Sequence, residues 1–455
     1  MKELVVEAPM AETALSVKRV NRLYMGYFKD HKWRRFGTYY KANARLAYPY
    51  LIVKGKDIAK ARVITSMKYI PLRNVYKFAA QAPQVLITKV MNDSSMSFNV
   101  GSTHHAPDSV AKAVQEVCTR FSKGDKIVWL TRAWDVKQMY PSVPTALANS
   151  ARQFIFWCAT RGMRKCQNQR YITVHKKDKA ASRIGRGHGD VEGSVKITFD
   201  ELDHMLRFEL GTQYVNFGGT ILQLGNIAAG SFSGMPTAVA YCIFHEYQWL
   251  NGLYHARYLT RSAVLTVDSE EYIPSIHRRY ADDCRIAVPV LAKAAAEKEW
   301  ALQHFNSYFT DCYDDSTALE EEPVLKSGFE WLQSTFKFSG CKVSVTYKSK
   351  NWQSWMLTGR PKCRMAQSYF SYSASLTRRK YAVLVGKFHE IFRFSLPKQR
   401  ARMGVRHAIL DIVDTKVPRN VVISAANRMF LTTGHKVWQK VIRDIYKVYL
   451  ALGTH

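Results

Sequence analysis

The chain has 455 residues; 67 are Lys or Arg and 36 are Asp or Glu, a formal net charge of +31. With 47% hydrophobic and 13% aromatic residues it can fill a large core, which excludes wholesale disorder, and at ~100–200 residues per domain it makes about three structural units or one enzyme with subdomains. No stretch approaches the about 18 apolar residues of a membrane span, and eight cysteines without a Cys-x-x-Cys pair exclude a disulfide framework or a zinc site.

A positive surplus of this size predicts a polyanionic partner, nucleic acid first, and no membrane partner. The opening Met1-Lys-Glu-Leu-Val-Val-Glu7 carries acids where a secretion leader needs basic and then apolar residues. An intracellular protein of cytoplasm or nucleus, not a secreted one, is therefore expected.

Residues 1–45 form a basic N-terminal extension in which Lys29, Lys32, Arg34 and Arg35 surround Trp33, a pattern that suits base stacking as well as a solvated lead-in. Two β-prone segments, Tyr50–Val53 and Arg62–Thr65, flank a turn carrying Gly55 and Asp57. Residues 72–122 read as mostly helical around a loop at 101–107, whose His104-His105 pair reads as surface. Lys126–Asp135 reads as a buried strand that ends at an aspartate, and Pro144 opens a helix through Trp157. Residues 163–195, rich in basic residues and glycine, read as a mobile basic insertion. Its Gly185-x-Gly187-x-Gly189 run is a loop, because no strand and helix flank it as a dinucleotide fingerprint requires.

Thr198 with Glu201 forms a capping-box pattern, and Tyr214–Gln223 a hairpin turning at Gly218-Gly219. Gly230-Ser-Phe-Ser-Gly-Met-Pro236 is a tight loop leading into an apolar helix from Thr237. A second hairpin is expected over 272–288, and the chain from 361 onward is basic and helical, with Val437, Trp438, Val441, Ile442 and Ile445 at helical spacing.

The chemistry concentrates in His277-Arg-Arg-Tyr-Ala-Asp-Asp-Cys-Arg-Ile286, where two adjacent carboxylates sit between β-prone flanks, at the place of a hairpin tip. Adjacent carboxylates repel and call for a cation. A second Tyr-Asp-Asp, at 313–315, lies in an acidic stretch without strand alternation and reads as a solvated helix end. Upstream, Trp134-Asp-Val-Lys-Gln-Met-Tyr-Pro-Ser-Val143 places an aromatic residue five positions after the strand-ending Asp135.

In this order of motifs the chain resembles the reverse transcriptase branch of the right-hand polymerases, over residues ~50–360. Asp135 with Tyr140 matches the first palm motif, Gly230-x-x-x-Gly234-x-Pro236 the glycine loop, and Tyr280-Ala-Asp-Asp283 the metal-binding hairpin. The resemblance implies an α+β fold with fingers (46–125), a palm of antiparallel sheet plus helices (126–360, including the insertion) and a helical thumb (361–455). It implies Asp135, Asp282 and Asp283 as catalytic metal ligands for two Mg2+ ions, with Mn2+ as the substitute. Nucleotide contacts fall to Lys54, Lys56 and Arg62 on the fingers hairpin, to Tyr140 as sugar gate, to Gly234, and to Lys348 and Lys350. RNA template, primer–template duplex and nucleoside triphosphates are the implied partners. The chain departs from the family in having Ala229-Gly230 where Gln-Gly is usual and Met235-Pro236 where Ser-Pro is usual.

Two-metal phosphodiester synthesis needs ions about 3.5–4 Å apart held by oxygen ligands, and two or three converging aspartates suffice for it. The expected activity is RNA-directed DNA polymerisation. The alternatives are a viral RNA-dependent RNA polymerase, to whose loop Ser233-Gly234 with Thr237 is similar, and a non-catalytic RNA-binding scaffold. An aromatic ring at Tyr140 excludes a 2′-hydroxyl and favours deoxynucleotides. Retained aspartates argue against the scaffold.

Overall fold

The computed structural model describes residues 10–12, 15–30, 33–36, 45–54, 57–93, 105–161, 171–175, 182–185, 193–254, 263–267, 271–349, 377–413 and 417–451. The N-terminal part runs β1 (Met10–Glu12), α1 (Val17–Asp30), β2 (Tyr48–Lys54), β3 (Asp57–Ser66), α2 (Arg73–Ala79), α3 (Gln81–Asp93) and α4 (Ala106–Val117). Then come β4 (Ile127–Val136), α5 (Met139–Ser142), α6 (Thr145–Arg161), β5 (Tyr171–His175), β6 (Arg183–Ile184), β7 (Ser194–Thr198), α7 (Phe199–Gly211), β8 (Tyr214–Phe217) and β9 (Thr220–Leu224). The chain continues with α8 (Gly234–Tyr254), β10 (Ala263–Val267), β11 (Glu271–Tyr280), β12 (Asp283–Leu291), α9 (Ala295–Asp311), β13 (Leu319–Glu321), β14 (Gly328–Trp331), β15 (Ser334–Ser339) and β16 (Lys342–Tyr347). Four helices close it: α10 (Thr377–Phe394), α11 (Ala401–Val413), α12 (Arg419–Thr433) and α13 (Val437–Ala451). Among the described residues no helix is long and apolar enough to cross a membrane.

The centre is a five-stranded antiparallel sheet in the order β10-β11-β12-β4-β13. Every residue of β12 from Cys284 to Val290 is buried, so this strand is covered on both faces. Cys284, Ile286, Val288 and Val290 face a core shared with Trp134, Phe305 and Tyr308, beneath α8 and α9. The opposite face carries Ala287 and Trp129, which join Phe329, Trp331, Phe336 and Phe338 of β14–β16 and the buried side of α4 in a second core. Side chains alternate along a strand. Asp135 and Asp283 therefore lie on the Trp129–Ala287 face, at the end of the sheet where that second core stops.

Most expected elements form. β2 and β3 make the N-terminal hairpin, β8 and β9 turn at Gly218 (φ 59) and Gly219 (φ 97), and Thr198 caps α7 in a reciprocal capping box with Glu201. The apolar helix expected from Thr237 starts earlier, at Gly234. The C-terminal helices enclose their own core around Phe388, Ile409, Val422, Trp438 and Ile445. The chain before α11 is bound to β16 through a two-way bridge, Val345 N–H to Leu396 O (2.7 Å) and Leu396 N–H to Val345 O (3.0 Å).

The expectation of a mobile basic loop over 163–195 is corrected in part. Residues 162–170, 176–181 and 186–192 lie outside the described residues, but β5 pairs with both β6 and β7 to form a three-stranded sheet. The physical reason is local: Tyr171-Ile-Thr-Val is β-branched and buries Ile172 and Val174 completely, with Ile197 opposite Ile172. The charge count of the segment hides this apolar strand. Ile172→Ala is accordingly expected to cost about 2–5 kcal/mol, read as a drop in the urea midpoint at unchanged slope. A change within about 0.5 kcal/mol would return the segment to a solvated loop.

Candidate active site

β-pairing assembles the three aspartates. Asp135 is the next-to-last residue of β4, and the antiparallel register sets it directly opposite Asp283, the first residue of β12. Asp282 occupies the two-residue turn between Tyr280 and Asp283. Carboxylate oxygens of Asp135, Asp282 and Asp283 lie within 4.8 Å of one another, and all three residues are half-buried.

The turn is held from two sides. Arg279 donates from Nη1 to Ala281 O (3.1 Å), and Val136 N–H donates to Asp282 O (2.9 Å). Ala281 adopts φ 54, a left-handed conformation that costs a residue with a Cβ about 1–2 kcal/mol. That strain is sustained because the buried groups around it leave the backbone no alternative.

Arg279 is itself completely buried and grips Glu246 of α8 through two bonds, Nε to Oε1 (2.7 Å) and Nη2 to Oε2 (3.1 Å). Burial opposes the charge, but Glu246 holds the guanidinium well above its usual pKa. The hydroxyls of Tyr308 and Tyr313 also donate to Glu246 Oε1, at 3.3 Å each. Tyr313-Asp-Asp315 is thus more than a solvated helix end: α9 stops at Asp311, Tyr313 points into this network, and Asp314 accepts from the Tyr241 hydroxyl (3.0 Å).

The compensation that Arg285 gives the carboxylate trio is shared with other acceptors. Arg285, 3.8 Å from Asp283, spends its donors on Glu322 (2.5 Å) and on the carbonyls of Cys284 (2.7 Å), Glu330 (3.0 Å) and Trp134 (3.2 Å). Asp135 Oδ1 is buried with no hydrogen-bond partner among the described residues. Burial, and then the negative charges of Asp282, Asp283 and Glu322, push the Asp135 carboxyl up to about 7 against the opposing pull of Arg285. An orphaned carboxylate oxygen beside two more carboxylates is what a divalent cation with oxygen ligands would satisfy, so these residues fit Mg2+ or Mn2+.

Tyr140 lies in the single-turn α5, half-buried against the main core, after Gln138 reverses the chain at φ 50. The glycine loop runs alongside. Ile227 N–H donates to Val143 O (3.3 Å), Thr145 N–H to Gly225 O (3.0 Å), and the Asn226 amide to Pro141 O. Gly230 (φ 103) packs on β3, where a Cβ would stand 2.5 Å from Thr65 O, and Thr65 N–H donates to Ala229 O (2.7 Å). Gly234 opens α8 where a Cβ would crowd Ser231 and come 3.1 Å from Ala228 O, a packing reason for glycine at this position.

Lys348 follows β16 with its ammonium paired to Glu330. Lys54 and Arg62 sit on β2 and β3, Arg62 opposite Ile52, while Lys56 and Lys350 lie outside the described residues, as do His104 and Trp355–Gly359. The residues missed from sequence are the buried polar ones: Glu246, Arg279, Arg285, Glu209, Gln213 and Asn226. Glu246 left a signal, a carboxylate within an apolar helix, and so did the arginines flanking the aspartate pair.

No protein-family profile matches the chain, and no curated protein matches it in sequence. Among solved structures it is similar to the apo telomerase of Candida tropicalis, with TM-score 0.47 and 10% identity over 98% of this chain and 76% of that one. Telomerase of Candida albicans, in complex with a fragment of telomeric RNA, gives 0.44 and 10% over 98% and 74%. The sicinivirus RNA-dependent RNA polymerase gives 0.40 and 8% over 92% and 71%. At such scores the functional reading rests on the site's own geometry.

Removing one carboxylate tests that geometry. An acid whose folded pKa is raised from 3.8 to about 7 weakens folding progressively as pH climbs through that interval, and the full penalty applies above it. In chelator at pH 8, Asp135→Asn is therefore expected to stabilise the protein by roughly 1–3 kcal/mol after allowance for solvent screening. It should also erase the rise in melting temperature that Mg2+ gives the wild type. A destabilised variant that still responds to Mg2+ would remove Asp135 from the ligand set.

Proposed function

We propose that the chain is a template-directed nucleic-acid polymerase acting by two-metal nucleotidyl transfer, and that it is an RNA-directed DNA polymerase. One observation carries this reading: the in-register pairing of Asp135 with Asp283, with Asp282 at the adjoining turn, joins three carboxylates around an orphaned oxygen at the open end of the sheet. Two bound divalent ions would supply activation of the primer 3′-hydroxyl and neutralisation of the triphosphate.

Asp135 and Asp282 are the ligands in this proposal, with Asp283 completing the set. Arg285 keeps the trio from excess repulsion without filling it. The central sheet with α8 and α9 corresponds to a palm within 126–360, the β2–β3 hairpin and the helices up to residue 125 to fingers, the helices from 361 onward to a thumb, and residues 1–45 to an extension. Lys54, Lys56 and Arg62 would grip the triphosphate, Gly234 and Lys350 would line the nucleotide and primer side, and Lys348 would have to leave Glu330 to reach either. RNA template, primer–template duplex and nucleoside triphosphates are the proposed partners, and the net charge of +31 suits a duplex-binding cleft.

Tyr140 supports DNA over RNA synthesis. An aromatic ring seated against the core after the metal aspartate has little freedom to yield to a 2′-hydroxyl, and overpacking of that kind costs about 1–3 kcal/mol, or roughly 10- to 100-fold in selectivity.

The decisive assay is primer extension on RNA and DNA templates with dNTPs or rNTPs. Asp282→Asn should reduce extension below about 10% of wild type while thermal stability and primer–template affinity stay close to wild type. Extension above that level would detach the motif from catalysis. Wild-type preference for rNTPs would replace the reading with an RNA-directed RNA polymerase, and binding without extension by either substrate would leave an RNA-binding scaffold. Primer–template affinity should also fall steeply with salt, because lysines and arginines release counterions from phosphates; a log–log slope near zero would assign the positive charge another use.

A further inference from the structure

The short turn that carries Tyr140 is held partly from outside itself. α5 is a single turn of four residues, too short to be stable by itself, and its last carbonyls lack helical partners. Its internal bonds include Ser142 N–H to Gln138 O (3.0 Å) and Ser142 Oγ to Met139 O (3.2 Å), neither of which uses the Pro141 carbonyl. That carbonyl is taken by the side-chain amide of Asn226, from the segment that leads into the glycine loop.

Asn226 is fixed in turn from α7 and the residues after it. Gln213, 2% exposed, donates from Nε2 to Asn226 O (3.1 Å) and Leu210 O (3.2 Å), and accepts at Oε1 from Ala228 N–H (2.8 Å). Four residues earlier, the buried Glu209 accepts from Ser233 N–H (3.2 Å). A carboxylate and an amide four residues apart thus cradle both ends of the loop, and Asn226 passes that restraint to the residue next to Tyr140. A buried amide satisfied at both ends tolerates little displacement, because each broken bond leaves a polar group without a partner.

We infer that Gln213 and Asn226 form a positioning relay that sets the Tyr140 ring against the incoming sugar and so determines nucleotide selectivity without touching substrate. This inference rests on the reading of Tyr140 as sugar gate.

The test measures kcat/KM for a dNTP and for the matching rNTP in primer extension, with the wild type, Asn226→Ala, the isosteric Asn226→Asp, Gln213→Ala, Tyr140→Ala, and Asn226→Ala combined with Tyr140→Ala. Loss of one relay bond should lower the dNTP-over-rNTP ratio by ~5-fold or more, while kcat for the dNTP changes less than the ratio does. In the Tyr140→Ala background, Asn226→Ala should lower the ratio no further, since a relay without its terminus has nothing to position. Melting temperatures identify any variant that does not fold; Asn226→Asp keeps the volume and loses the donor, so it carries the test if the alanine variant fails.

Equal loss for both nucleotides at an unchanged ratio would overturn the relay and leave Asn226 a purely structural residue. A further drop in the Tyr140→Ala background would also overturn it, by showing another route. If Tyr140→Ala itself leaves the ratio unchanged while extension persists, the sugar gate and the relay fall together and the polymerase stands.

Discussion

The buried ion pair between Arg279 and Glu246 is the constraint on which the rest of the site depends. It joins the strand that leads into the aspartate turn to the long helix behind the sheet, with two tyrosine hydroxyls adding bonds to Glu246 Oε1. A buried charge deprived of its partner costs about 3–5 kcal/mol, so neither residue can move independently. Because Arg279 also binds the Ala281 carbonyl, the pair converts the rigidity of the core into a fixed backbone at the turn, where a left-handed alanine would otherwise relax.

That rigidity allows carboxylates to be held where they repel. The chain carries +31 overall, yet the end of its central sheet is a local excess of negative charge, with Glu322 adding to the three aspartates. Arg285 moderates the field but is committed to Glu322 and three backbone carbonyls, so it does not fill the space between Asp135 and Asp282. Repulsion built into a folded site is a stability cost that a bound cation reverses, which is the usual relation between strain and function at such centres.

The glycine loop links regions far apart in sequence. It takes a backbone bond from Thr65 of the N-terminal hairpin, another from Thr145 beyond the Tyr140 turn, and side-chain bonds from Glu209 and Gln213. Displacement of the hairpin therefore reaches the loop through Thr65 and Ala229, and the α5 turn through Asn226. The close approach of backbones at Gly230 makes this contact possible, since a Cβ there would collide with Thr65 O.

The strand ending at Asp135, the aspartate hairpin, the capping box at Thr198 and the amphipathic last helix were legible in the residues, because each follows from a local period or a turn preference. The β-prone flanks of the aspartate pair pointed to a hairpin tip, and the structure sets Asp282 in the turn and Asp283 at the first position of β12. The sheet within 163–195 was not legible, since a four-residue apolar strand among basic residues is outweighed by composition until its partner strand is known. Tyr313 was misread for the same reason: its neighbours are acidic, but its own hydroxyl reaches Glu246, far away in sequence. By itself, the sequence determined most of the strands and helices and which carboxylates are candidates for a metal, through local periodicity and side-chain type. Only the tertiary structure decided that Asp135 faces Asp283, that Arg279 closes on Glu246 and that Asn226 holds the Tyr140 turn, because register and buried hydrogen bonding are set by which surfaces exclude water together.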